Sequence, residues 1–109
     1  MSRKSLLAAG IFALTYAAAF YLRIYVVDTP VSGAQENPAI VLLRQVVLYG
    51  QLRSVWGGLS LAAGVLALFS PWRWTVYAWS VLTAFALANY NGDLGVVGLA
   101  LGVLRLARF

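Results

Sequence analysis

Long stretches without charged side chains limit what this chain can fold into. Charged residues are almost absent from residues 5–27, 54–72 and 74–90, and none lies in residues 94–104. A bilayer hydrocarbon core of about 30 Å is crossed by roughly 20 mostly apolar residues in a helix. Because the remaining polar sequence is too short to cover a water-soluble globule, the pattern predicts an all-α membrane protein.

The apolar stretches predict a polytopic, four-transmembrane-helix bundle that forms a single integral membrane domain over residues 1–109. The predicted spans are residues 5–27, 54–72, 74–90 and 94–109, with an extracytoplasmic loop and a short interfacial helix in residues 28–53. Composition agrees, since 10% of the residues are charged, compared with about 25% in ordinary soluble domains. The mean hydropathy of +0.84 points the same way.

The first apolar stretch also has features of a signal peptide. Arg3 and Lys4 precede it, and residues 17–19 are small enough for a cleavage site. The apolar run nevertheless continues through Leu22 and resumes after Arg23, which favours a helix that is retained. Near the outer end of that helix, the long side chain of Arg23 can reach the lipid head groups.

The segment between the first two spans begins with a loop. Residues 28–38 contain two prolines, one glycine and two of the three acidic residues, which is typical of a loop. The apolar run that follows, residues 39–69, is too long for one span. We therefore place a break near Gly50.

The part before this break, residues 39–49, is predicted to be a short helix in the membrane interface. Asn37, Arg44 and Gln51 recur at seven-residue spacing and form one polar stripe, as in an amphipathic interfacial helix. A long, tilted second helix whose outer end protrudes from the bilayer is the alternative.

The basic residues predict the orientation of the bundle, because basic side chains are enriched on the cytoplasmic side of membrane proteins. With the N-terminus inside, five basic residues are cytoplasmic and three lie outside: Arg3, Lys4, Arg73, Arg105 and Arg108 against Arg23, Arg44 and Arg53. We therefore expect a multi-pass protein of a bacterial inner membrane with both termini in the cytoplasm. A three-span arrangement with a re-entrant last segment is disfavoured, since it moves the last two arginines outside.

Missing residue types exclude several kinds of chemistry. The chain has no cysteine or histidine, and its one lysine is Lys4. A thiol nucleophile, a histidine general base and the usual zinc, copper or haem ligands are therefore absent. The eight basic residues are scattered along the chain and do not form a nucleic-acid-binding stripe. We expect a protein that is not an enzyme, with no catalytic residue, cofactor or metal site and no nucleic-acid partner.

Small residues recur at helical spacing on two predicted helices and form candidate helix-packing faces. The alanine stripe is Ala9, Ala13 and Ala17 on the first helix, and the glycine stripe is Gly95, Gly98 and Gly102 on the last. Small side chains let two helix backbones approach closely in a membrane. Packing within the bundle is the simpler interpretation, and docking against a second copy or a larger membrane partner is the alternative.

One polar constellation is predicted at the outer surface. It combines Arg23 with residues around the last turn, namely Asn89, Tyr90, Asn91 and Asp93. An arginine, two amides, a phenol and one acid can bind a lipid head group or an ion. The same residues also suit a structural turn, in which Asp93 caps the last helix through its carboxylate. We favour the turn, because each residue has a local structural role.

These observations leave two leading functional hypotheses. The first is an accessory or assembly subunit of a larger membrane complex or homo-oligomer, whose partners are membrane lipids and another membrane subunit or its own copies. The alternative is a small oligomeric transporter or channel for a lipid-like or anionic solute, anchored by Arg23, Arg44 or Arg53. An enzyme that acts on lipid head groups through Glu36 and Asp93 is the least favoured, because those acids lie on different loops without a base or metal ligand.

Overall fold

The computed structural model describes residues 3–28, 38–89 and 91–107, with the backbone alone for residues 26–28. Within this part of the chain the fold is all-α, with five α-helices and no strand. The helices are α1 (Arg3–Leu22), α2 (Pro38–Leu52), α3 (Val55–Phe69), α4 (Trp74–Ala88) and α5 (Gly92–Leu106), and a π-helical segment, Arg23–Asp28, extends α1. The prediction of an all-α fold is confirmed.

The predicted break between α2 and α3 is confirmed, and it lies at Arg53 and Ser54, just after its predicted position near Gly50. Ser54 has φ 54° and ψ 31°, in the left-handed region that residues with a side chain seldom adopt, and the two helices are bent by 69°. Gly50 stays inside α2, where the absence of a side chain makes room for the indole of Trp56. The indole Nε1 donates a hydrogen bond to the Val47 carbonyl at 3.1 Å, which holds α3 against α2.

A short connection joins α3 to α4. Pro71 follows α3 and has no amide N–H with which to continue a helix. The Ser70 hydroxyl accepts a hydrogen bond from the Trp72 amide at 3.1 Å, and the Thr75 hydroxyl donates one to the Trp72 carbonyl at 2.6 Å. Because Thr75 lies in the first turn of α4, these bonds set the direction in which α4 leaves the turn.

The core consists mostly of small side chains. Ala8 of α1, Ala63 and Ala67 of α3, and Val76 and Trp79 of α4 form one buried cluster. The most extensive contact is between α3 and α5, while α1 packs on α4, and α2 packs on α3 and on the extension of α1. The helices α3, α4 and α5 therefore form the centre of the bundle, and α1 and α2 lie at its edge.

Helix length distinguishes α1 from the other helices. One helical stretch, Arg3–Tyr25, is long and apolar enough to cross a membrane, at 23 residues, and α2 with α3 passes the same test only as one bent span. The helices α3, α4 and α5 have 15 residues each, or about 22 Å at 1.5 Å per residue. They are shorter than the predicted spans 54–72, 74–90 and 94–109, and the four-span bundle remains a prediction.

Candidate functional site

A network of buried amide side chains lies where α2 meets α3 and α4 meets α5. The Asn91 carboxamide accepts a hydrogen bond from the Gly57 amide at 3.0 Å and donates one to the Gln51 carbonyl at 3.2 Å. The Gln51 side chain in turn donates to the Asn89 Oδ1 at 3.2 Å, and Asn89 Nδ2 donates to the Phe85 carbonyl at 2.8 Å. Asn89 is 0% exposed and Asn91 is 3% exposed. The network joins the ends of four helices through neutral side chains.

Arg23 adds the extension of α1 to this end of the bundle. Its guanidinium donates a hydrogen bond to the Ala88 carbonyl at 2.7 Å and lies 4.5 Å from the centre of the Phe20 ring. Ala88 is the last residue of α4, where carbonyl groups lack an intrahelical partner and the helix dipole favours positive charge. Arg23 therefore acts as a charged cap on α4.

Three residues of the predicted outer constellation come together. Arg23, Asn89 and Asn91 all contact the C-terminal end of α4 or the turn that follows it. Asp93 is exposed in the first turn of α5, and the residue that precedes α5 is Asn91, so the expected cap by the Asp93 carboxylate is wrong. Tyr90 lies outside the described residues.

Gln51 is the residue that sequence reasoning missed as a member of this network. Its seven-residue spacing from Arg44 placed it on a polar stripe, which we assigned to the membrane interface. In the structure, α2 continues to Leu52 and carries Gln51 onto Asn89 and Asn91. The presence of an amide at the end of an apolar helix was the signal, because such a group needs a partner when buried.

The chemistry available at this end is hydrogen bonding rather than acid–base or metal chemistry. The three amides carry no charge. The side chains of Asn89 and Asn91 bond to backbone groups near helix ends, and the Gln51 side chain bonds to the Asn89 side chain. Within residues 3–28, 38–89 and 91–107, no group of three or more histidine, cysteine, aspartate or glutamate residues is arranged to hold a metal ion. The arrangement satisfies backbone groups at the ends of α2, α3 and α4, where helices leave such groups unpaired.

A second set of polar contacts lies in the interior of the bundle. The hydroxyls of Ser60 on α3 and Thr83 on α4 are 2.7 Å apart and buried. The indole Nε1 of Trp79 on α4 donates to the carbonyl of Gly98 on α5 at 2.7 Å. These two bonds connect the three central helices and satisfy polar atoms that would otherwise be buried without partners.

The two small-residue stripes have different environments. The glycine stripe (Gly95, Gly98 and Gly102) is buried within the bundle. A Cβ on Gly98 would overlap Ser60 of α3, and a Cβ on Gly102 would overlap the indole of Trp79 on α4. The two glycines therefore let α5 approach α3 and α4 closely. The alanine stripe (Ala9, Ala13 and Ala17) is exposed, because α1 turns Ser5, Ala8 and Ala19 toward the bundle instead.

Comparisons with protein-family models, with curated proteins and with solved structures gave no significant match. The class of protein therefore follows from the geometry alone. The described residues form a small helical bundle in which buried amide and hydroxyl side chains make hydrogen bonds between helices.

Proposed function

We propose that this chain is a non-catalytic, multi-pass membrane protein that serves as an accessory or assembly subunit of a larger membrane complex. The observation that carries the proposal is the distribution of polarity between the interior and the surface. Buried polar residues include Ser60, Ser80 and Thr83, each 0% exposed, whereas Leu14 is 74% exposed and Phe69 is 80% exposed. A water-soluble domain has the reverse preference, with leucine and phenylalanine among its most buried residues.

Lipid explains this distribution. In a bilayer there is no hydrophobic force between apolar helices, so close packing of small residues and interhelical hydrogen bonds hold them together. The contact of α3 with α5 has that character, with Gly64 and Ser60 facing Gly98. Large apolar side chains then face the acyl chains, which supports integration of the whole bundle into the membrane.

Helix length is compatible with this location if the bilayer adapts to the central helices. Helices of about 22 Å are shorter than a hydrocarbon core of about 30 Å, and such a mismatch is met by local thinning at modest cost. Trp72 and Trp74 follow α3 with stacked rings 6.4 Å apart and are exposed, as in an aromatic belt at the head groups. The 69° bend at Ser54 directs α2 away from the axis of α3, which suits an interfacial helix.

Docking is proposed for the exposed face of α1. Only 17% of the apolar window of this helix is buried, and its alanine stripe faces outward. An added Cβ on Gly10, which adjoins this stripe, would meet nothing within 4 Å. A face of small residues allows the close approach of a further membrane helix, which we assign to another subunit.

The experiment is affinity purification of the tagged chain from membranes in a mild detergent. We expect the chain to stay in the membrane fraction and to elute with a stoichiometric membrane partner. A triple variant with leucine at the alanine stripe should keep its thermal stability and lose the partner. The matched control is Ala100→Leu, which adds the same side chain to an exposed position on α5 and should leave the complex unchanged.

The possible outcomes test the membrane location and the assembly role separately. Recovery of the chain in the soluble fraction overturns the membrane location. A membrane-bound monomer without a partner overturns the assembly role, and a symmetric assembly of this chain alone identifies a homo-oligomer instead. A transporter or channel is the less supported alternative, because the buried polar groups of Ser60, Thr83 and Trp79 bond to neighbouring helices and leave no polar group among them to line a solute path.

A further inference from the structure

Basic residues gather at the end of the bundle opposite the amide network. The Ser5 hydroxyl donates to the Leu106 carbonyl at 3.4 Å, so the start of α1 lies beside the end of α5. The connection from α3 to α4 meets the same end, because Ser70 and Pro71 line a cavity together with Arg105. Four basic residues of the described chain therefore share this end: Arg3, Lys4, Arg73 and Arg105.

The two acidic residues of the described chain lie elsewhere. Asp93 is in the first turn of α5, at the opposite end of the helix that carries Arg105. Asp28 ends the extension of α1, far along the chain from Arg3 and Lys4, and Glu36 lies outside the described residues. The basic end is thus complementary in charge to an anionic surface.

A cavity at this end is lined by both apolar and polar side chains. Its volume is about 330 Å³, and it is lined by Leu68, Phe69, Ser70, Pro71 and Arg105. A water molecule occupies about 30 Å³ in the liquid, so the cavity has room for a phosphodiester with a small alcohol. Phe69 lines the cavity and is largely exposed, so it provides a surface for an acyl chain.

Two side chains can hold a phosphate in this cavity. The guanidinium of Arg105 carries five N–H donors in a planar fork that matches two phosphate oxygens. The Ser70 oxygen accepts from the Trp72 amide, and its hydroxyl proton can be donated in turn. Trp72 and Trp74 follow the lining residue Pro71 closely in the chain and are exposed, and tryptophan favours the layer where head groups meet the hydrocarbon.

From this placement we infer that the cavity between the end of α3 and Arg105 binds the head group of an anionic phospholipid, such as phosphatidylglycerol. The phosphate lies against Arg105 and Ser70, and an acyl chain runs along Phe69. The positive charge of this end selects an anionic lipid over a zwitterionic one that carries the same phosphate. This inference rests on the membrane location proposed above.

The test measures lipid binding to the detergent-purified full chain by native mass spectrometry, with phosphatidylglycerol, phosphatidylcholine and inorganic phosphate as probes. We expect phosphatidylglycerol to bind on the order of tenfold more tightly than phosphatidylcholine, because its net negative charge is attracted by the basic residues at this end. Arg105→Gln should lower this preference several-fold, because it removes the basic residue that lines the cavity. Arg53→Gln removes an exposed arginine at the other end of α3 and should retain it.

Thermal unfolding in phosphatidylcholine shows whether Arg105→Gln is folded. Arg105→Lys should keep part of the preference for phosphatidylglycerol, because lysine retains the positive charge but lacks the planar N–H donors of the guanidinium. Equal binding of the two lipids, or an unchanged preference in Arg105→Gln, overturns the inference. Stabilisation by inorganic phosphate equal to that by phosphatidylglycerol overturns the assignment to a lipid. A chain that is recovered in the membrane fraction but binds the two lipids equally refutes this site alone. A chain that is recovered in the soluble fraction refutes the membrane proposal.

Discussion

The indole Nε1 of Trp79 donates a hydrogen bond of 2.7 Å to the carbonyl of Gly98, and both residues are buried. The bond joins the middle of α4 to the middle of α5. One turn further along α5, Gly102 lies beneath the same indole, where a Cβ would overlap the ring. The contact between the two helices therefore depends on one large side chain and on the absence of side chains at two glycines.

Replacement of Gly102 by alanine tests this contact. The added methyl group should displace the Trp79 indole and lower the free energy of unfolding by about 1–3 kcal/mol, the usual cost of overpacking a core. Thermal and denaturant unfolding in detergent measure the change. Gly58→Ala is the matched control, because an added Cβ there meets nothing within 4 Å, and it should leave stability unchanged or raise it. Equal effects of the two substitutions would contradict the packing described for Gly102.

The Asn91 side chain should stabilise the fold, because its carboxamide oxygen accepts a hydrogen bond from the Gly57 amide. In Asn91→Leu that buried N–H loses its partner, which should cost about 1–3 kcal/mol of unfolding free energy. Asp93→Asn changes a neighbouring but exposed residue and should alter stability by less than about 0.5 kcal/mol. Denaturant unfolding of both variants checks the difference. A neutral Asn91→Leu would mean that water or another group replaces the amide.

Ser54 holds a left-handed backbone conformation that glycine adopts without steric cost. Ser54→Gly should therefore stabilise the chain by up to about 1 kcal/mol, because left-handed φ costs roughly that much for a residue with a Cβ. Ser54→Val should destabilise it, since a β-branched residue is strained there. Thermal unfolding of both variants distinguishes the signs. The same direction of change for both would indicate that α2 and α3 meet in another geometry.

The proposed topology can be tested with single cysteines, since the native chain has none. Leu52→Cys replaces an exposed residue that precedes α3, and Trp72→Cys replaces an exposed residue that follows it. Both variants leave every basic residue in place. We expect an impermeant thiol reagent added outside cells to label position 52, and to label position 72 only after permeabilisation. Labelling of both positions from one side would exclude α3 as a span.

The sequence by itself determined the helical class of the chain and the kinds of chemistry that it lacks. Uncharged runs of membrane-crossing length predict helices, and the absence of histidine and cysteine excludes their chemistry at any position in the fold. Pro71 also predicted the connection between α3 and α4 correctly, because proline acts on the local backbone. The predicted loop at residues 28–38 lies mostly outside the described residues. These inferences depend on residue type and sequence neighbours alone.

Only the tertiary structure decided which faces of the helices pack. Both small-residue stripes fit a close helix contact, but the glycine stripe is buried while the alanine stripe is exposed. A helix that is apolar on every side has no amphipathic pattern to indicate its buried face. The choice depends on the shape of the neighbouring helices, such as the Trp79 indole over Gly102 and the Trp56 indole over Gly50. The contacts of Gln51 with Asn89 and Asn91 likewise depend on the bend at Ser54, which places α2 across the end of the bundle.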